Sequence, residues 1–321
     1  MELALTIVLF LIGIVLIVKG GDLFVDAAAW IAEASGIPKL IIGATVVSLA
    51  TTLPELIVSV MAAGQGKVDM AVGNAVGSVT ANIGLIMAVA LIFMPGVIRR
   101  KDYMPKALLM LAGAGLVAAV GLQGSVTAIF SVCLLAVFVL FLIENVTSAQ
   151  KAMLEDQAQR KNRQKPAGKE IAVNLIKFAA GTAGIVLGAD LLVDNGSELA
   201  RLAGVSERII GVTVIAVGTS LPELVTTVSA IIKKQSALSV GNILGANIID
   251  LTLIMPLCSI ISGKALPISA TSGKLDLPIA LLVGLIALVP ALISSRFRRW
   301  QGFLLLAVYA AYLGATCTLI L

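Results

Sequence analysis

Histidine is absent from this chain. Its absence removes the usual transition-metal ligand, the side chain that titrates near neutral pH, and the Ser–His and Cys–His pairs of nucleophilic catalysis. Charge is scarce as well: only 13% of the 321 residues are Asp, Glu, Lys or Arg, against about 25% in soluble domains. Cysteine occurs three times, at Cys133, Cys258 and Cys317, each alone in an apolar segment. No disulfide or metal framework follows from that spacing, and all three read as small buried hydrophobes. The net charge of +5 implies no nucleic-acid partner, because the basic residues sit in short connections between apolar runs, where the positive-inside rule accounts for them.

What is abundant is apolar length. Runs of about 17 to 25 residues recur along the chain, each long enough to cross a hydrocarbon core of roughly 30 Å as a helix. Ten spans are expected, at 3–20, 37–63, 69–95, 104–122, 125–146, 171–194, 207–232, 237–262, 275–294 and 298–320. The first lacks a basic leader and a small-residue cleavage signal, so it reads as a spanning helix rather than a signal peptide. The polar stretch 147–170 is expected to be a solvated linker between the halves 1–146 and 171–321. Sixteen Lys and Arg residues fall in connections after odd-numbered spans, against five on the other side. That bias predicts a multi-pass cell-membrane protein with a cytoplasmic 147–170 linker and both termini outside.

The two halves repeat at an offset of 168 residues. GATVVSLATTLPEL (43–56) falls on GVTVIAVGTSLPEL (211–224), and VGNAVGSVTANIGLIM (72–87) on VGNILGANIIDLTLIM (240–255), without a gap. Five spans per half is an odd number, so the second copy enters the membrane from the opposite side. The fold class expected is an all-α membrane protein of ten helices built as two inverted five-helix repeats, the architecture of many secondary transporters.

Polar residues concentrate where the repeat is densest. Glu55 and Glu223 lie near the centres of their spans, where an ionisable group costs at least about 2.5–3.5 kcal/mol. Pro54 and Pro222 precede them and free the carbonyls of Ala50 and Gly218 from the helix ladder. Thr51 and Thr52 stand at i−4 and i−3 from Glu55, as Thr219 and Ser220 do from Glu223. Ser78 and Asn82 form an i, i+4 stripe on the third span, matched by Ala246 and Asp250 on the eighth. Gly73, Gly77, Gly241 and Gly245 should let these helices approach the Glu-bearing ones closely. The donors are all oxygen, a set that suits calcium or sodium and not zinc, copper or iron. Asp22, Asp26, Asp190 and Asp194, near span ends, read as interfacial or capping residues.

The paired LPEL segments, followed by GNxxGSxxxN and GNxxGAxxxD, resemble the two alpha-repeats of the sodium/calcium exchanger family, within the calcium/cation antiporter superfamily. The resemblance covers about 20–90 and 188–258 and implies a non-enzymatic antiporter without cofactor, whose cargo is calcium and sodium, with potassium a third candidate. By position it implies calcium ligation by Glu55 and Glu223 with the backbone carbonyls of Thr51 and Thr219. It implies sodium sites from Thr52, Ser78, Glu223 and the Ser48 carbonyl, and from Thr219, Ser220, Glu55 and the Ala216 carbonyl. Asn82 and Asp250 would flank the centre. Ala246 departs from the family's usual serine, Val79 and Thr80 from its Asn-Ile, and Ala50 from its glycine, which together bear on sodium stoichiometry. Proton-driven exchange is a close alternative, though neither GN element is followed by the further glutamate of that branch. A potassium-dependent exchanger is another, given Asp250, and a passive cation channel a third.

Overall fold

A computed structural model describes residues 2–159, 167–204, 218, 220–263 and 265–320, with backbone only for 2, 156–159 and 317–320. The described chain is helical apart from short connections. In order the helices are α1 (Glu2–Ser35), α2 (Lys39–Thr51), α3 (Leu53–Gly64), α4 (Val68–Phe93), α5 (Arg100–Gln123), α6 (Ala128–Gln159), α7 (Gly168–Leu202), α8 (Leu221–Ile232), α9 (Ser236–Ile261), α10 (Ser272–Ser294) and α11 (Arg299–Ile320). Among the described residues seven of these are long and apolar enough to span a membrane, and eight if α2 and α3 count as one span bent by 47°. Of the two other expected spans, 298–320 coincides with α11, and the last part of 207–232 is the short apolar α8, residues 207–217 and 219 lying outside the described residues. Large apolar side chains such as Leu11, Val132, Ile176 and Phe303 are exposed along the outer faces, as lipid-facing helices require.

Several expected boundaries move. The first span does not end at residue 20: α1 runs on through Gly20 and Gly21 to Ser35, because the glycines lie in a helix crossing and do not form a break. A Cβ at Gly20 would stand 2.8 Å from Ile185 N, and one at Gly188 would stand 2.8 Å from Ile17 N. α1 and α7 therefore cross antiparallel through small residues at backbone contact. The expected 147–170 linker is largely helix: α6 continues to Gln159 and α7 starts at Gly168, since AQKAMLEDQAQ is made of good helix formers and the proline comes only at 166. Cys133 is exposed on α6 and not buried, whereas Cys258 is buried; the side chain of Cys317 lies outside the described residues. Lys106 is no loop residue either. It is fully buried within α5 and pairs with Glu144 of α6 at 2.6 Å.

Two short antiparallel ladders tie the halves together. β1 (Gly96–Val97), after α4, pairs with β4 (Arg296–Phe297), after α10; β2 (Ser125–Val126), after α5, pairs with β3 (Leu266–Pro267), after α9. The start of α5 is thus bridged to the end of α10, and the end of α5 to the start of α10, which makes these two equivalent helices antiparallel neighbours. A wider helical turn recurs at the repeat offset as well, at Asn82–Met87 and at Asp250–Ile254.

At the centre α2 lies against α9. A Cβ on Gly241 would collide with Leu40 O and stand 3.0 Å from Ala44 N, and one on Gly245 would meet Ser48 Oγ and stand 2.6 Å from Ala44 O. The expectation of close approach therefore holds for Gly241 and Gly245. Gly73 and Gly77 have nothing within 4 Å among the described residues. The partners the repeat would supply for them fall near 208–216, outside those residues. Gly241→Val is expected to cost about 1–3 kcal/mol through overpacking against backbone that cannot rotate away. A clear drop in the melting temperature of detergent-purified protein checks this; an unchanged melt would contradict the contact.

Candidate cation site

The site begins with a helix break. Thr52 N–H bonds to Ser48 O at 2.9 Å and Leu56 N–H to Thr52 O at 3.0 Å, while Pro54 between them donates nothing. The chain bends there, and Glu55 falls in the first turn of α3. α8 repeats the pattern: Pro222 sits at its start, Glu223 follows in the first turn, and Leu224 N–H bonds back to Ser220 O. Both carboxylates thus stand where the helix dipole is positive, which favours an anionic side chain.

Burial is nearly complete. Glu55 is 1% exposed, Glu223 and Asp250 0%. Thr51, Thr52, Ser78, Asn82, Ser220 and Ser48 are buried around them. The carboxylates of Glu223 and Asp250 are close enough to Glu55 to repel its charge. Across the interface between the halves, Thr52 Oγ1 stands 3.5 Å from Glu223 Oε1, and the Thr51 hydroxyl also lies within reach of that carboxylate. Glu55, Glu223 and Asp250 therefore lie within electrostatic range of one another. Thr219 and Ala216 lie outside the described residues.

What distinguishes the cluster is the set of groups without partners. Both carboxylate oxygens of Glu55 and of Asp250, Oε2 of Glu223, Ser78 Oγ, Ser220 Oγ and both amide atoms of Asn82 have no hydrogen-bond partner among the described residues. Leaving even a neutral polar group in this state costs about 1–3 kcal/mol, and a charged one more. No group of three or more acidic, Cys or His residues is gathered tightly enough to hold a metal among the described residues. A cation here would take two carboxylates and complete its shell with hydroxyl, amide and carbonyl oxygens, a hard-ion donor set. The Ser48 carbonyl already accepts Thr52 N–H and, at 3.3 Å, the Thr51 hydroxyl, so any ion would share it.

The structure adds residues that the sequence reading passed over. Asn74 Nδ2 donates to Ser59 Oγ at 2.8 Å and to Glu55 O at 3.3 Å. Asn242 Nδ2 donates to Thr226 Oγ1 at 3.0 Å, and its Oδ1 accepts from Thr51 at 3.2 Å. Asn247 is fully buried with both amide atoms unpartnered among the described residues. The GN pair at the same place in both halves carried that signal, since asparagine disfavours helix interiors and recurs there for a reason. Asp22 and Asp26 turn out to be ion-pair partners of Lys233, at 3.7 and 2.7 Å. They are not caps, because α1 runs well past them.

A family model described as sodium/calcium exchanger protein matches residues 5–146 and 173–318, most of the chain. The chain belongs to the sodium/calcium exchanger family. It is a multi-pass cation/calcium antiporter and not an enzyme. Inner membrane protein YrbG of Escherichia coli is 34% identical over 87% of this chain and 86% of its own length. Sodium/calcium exchanger MaX1 of Methanosarcina acetivorans is 30% identical over 95% and 96%. The solved sodium-calcium exchanger NCX_Mj, soaked with sodium and strontium, superposes with a TM-score of 0.81 at 28% identity, covering 97% of this chain and 99% of that one.

Replacing a buried, unpartnered carboxylate by its amide removes a charge that the protein alone does not compensate. Glu55→Gln is therefore expected to melt no lower than the parent in chelator-treated, sodium-free detergent, by differential scanning fluorimetry. A markedly lower melt would mean that Glu55 has a structural partner.

Proposed function

We propose that this protein exchanges sodium for calcium by alternating access at the site between Glu55 and Glu223. The observation that carries this reading is the set of buried carboxylate oxygens without hydrogen-bond partners among the described residues, which a cation would neutralise. In the proposed site Glu55 and Glu223 hold calcium, assisted by the carbonyls of Thr51 and Thr219. Sodium is taken on one side by Thr52, Ser78, Glu223 and the Ser48 carbonyl, and on the other by Thr219, Ser220, Glu55 and the Ala216 carbonyl. Asn82 and Asp250 flank the centre. The names of MaX1 and NCX_Mj as sodium/calcium exchangers support sodium as the coupling ion.

The proposed frame is ten spans in two inverted halves, 1–146 and 171–321, joined through a cytoplasmic 147–170 segment with both termini outside. Support comes from equivalent helices that run antiparallel: α1 against α7 through Gly20 and Gly188, and α5 against α10 through the two ladders. Empty, charged carboxylates keep the site wet and resist movement through the closed state. Bound cations cancel that charge, and the long α1 and α7 can then slide across the core. The cation thereby selects which states are reached.

Sodium-loaded proteoliposomes diluted into sodium-free buffer should accumulate radioactive calcium, and Glu55→Gln or Glu223→Gln should abolish the uptake. Undiminished uptake by either variant would remove the carboxylates from the centre of the mechanism. Uptake driven equally well by a pH gradient would favour proton coupling, and a requirement for added potassium would assign Asp250 a cargo of its own. Calcium at a hundred times its dissociation constant should stabilise the parent by about 2.7 kcal/mol and leave Glu55→Gln unmoved in the same melt.

A further inference from the structure

One buried amide beside the site hydrogen-bonds across the two halves, while Thr219, the counterpart of its partner Thr51, lies outside the described residues. Asn74 and Asn242 occupy equivalent places in the two halves. Among the described residues Asn74 bonds only within its own half, to Ser59 and the Glu55 carbonyl. Asn242, 1% exposed, reaches across. Its Oδ1 accepts the Thr51 hydroxyl of the first half at 3.2 Å. Its Nδ2 donates at 3.0 Å to Thr226 Oγ1, which itself donates to the Glu223 carbonyl at 2.9 Å. One amide thus joins the end of α2, the body of α9 and the first turn of α8.

The chemistry of that junction matters for a cation. The Thr51 hydroxyl has one proton and three acceptors beside it, the Asn242 amide oxygen, the Ser48 carbonyl and the Glu223 carboxylate. Donated to Glu223, the proton would occupy a carboxylate lone pair that an ion needs. Donated to Asn242, it leaves that carboxylate free and turns the oxygen lone pairs of Thr51 away from the amide. The amide is neutral, so this orientation adds no charge to the site. Through Thr226 the same residue fixes the turn that carries Glu223, so two groups from opposite halves share one anchor.

We infer that Asn242 is the positioning residue of the cation site: without touching the ion, it directs the Thr51 hydroxyl and holds the Glu223 turn, and so sets calcium affinity. This rests on the exchange reading above. Groups that orient metal ligands from behind are worth about 10–100-fold in metal affinity, and an effect at the lower end is expected here, because only one hydroxyl and one helix turn are held.

The test uses the full-length protein in proteoliposomes with sodium-driven calcium uptake, and the same preparations in detergent for calcium binding by equilibrium dialysis. Asn242→Leu should raise the half-saturating calcium concentration about tenfold while the maximal rate stays within about twofold. Thr51→Val should raise it less, because it leaves the Asn242–Thr226 bond in place. The double variant should cost little more than Asn242→Leu alone, because that change already removes the Thr51 bond. Separate, multiplying losses, or a fallen maximal rate with unchanged half-saturation, would overturn the inference. Should Asn242→Leu fail to fold, Thr226→Val breaks the second bond and leaves Thr51–Asn242 in place; it must also weaken calcium binding, and unchanged binding would overturn the role. Absence of sodium-driven uptake by the parent, with calcium binding and its dependence on Asn242 intact, would reject sodium exchange and leave the positioning role standing.

Discussion

A carboxylate in the interior of a bilayer has neither water nor lipid to solvate it, so it must be met by a counter-charge, a proton or a dense set of donors. Glu55, Glu223 and Asp250 meet few donors: five of their six carboxylate oxygens lack a hydrogen-bond partner among the described residues, and the sixth has a long contact from Thr52. The rest of the architecture can be understood as the means of building and keeping this unsatisfied cluster. Lys106 and Glu144 show the contrast, since there a buried charge is answered directly by its opposite at 2.6 Å.

Prolines and glycines make the cluster reachable. Pro54 interrupts the helix ladder where Glu55 is needed, and Pro222 opens the helix that carries Glu223, so each carboxylate stands in a first turn. Gly241 and Gly245 then let α9 lie on α2 at backbone distance, which brings Asn242 of one half up to Thr51 of the other. Broken helices meeting at the midplane, with irregular backbone only where it faces a cavity or an ion, are the membrane solution to holding a hydrated cation's ligands without exposing backbone to lipid. Small residues also line the α1–α7 crossing, where the two backbones come into contact.

Much of this was legible in the sequence, for a physical reason. The hydrocarbon core fixes how long an apolar run must be, and burial in lipid makes each ionisable residue conspicuous, so the spans and the Glu pair stand out unaided. The 168-residue repeat then assigns each polar residue a counterpart. Less legible were helix ends, because polar good helix formers such as those of 147–159 extend a helix beyond the membrane without leaving an apolar trace. Cys133 was misjudged because an apolar segment is buried against protein on one face and lipid on the other, and composition does not separate the two. The roles of Asn74 and Asn242 were hidden for a different reason. Each is set by contacts between helices, so the repeat marks the positions while only the packing shows that the Asn242 amide crosses to the other half.

The account stands or falls on where a cation binds. Crystals soaked in strontium or calcium at graded sodium concentrations should show a density peak between Glu55 and Glu223 that fades as sodium rises. A peak elsewhere, or one at this place that is indifferent to sodium, would contradict it.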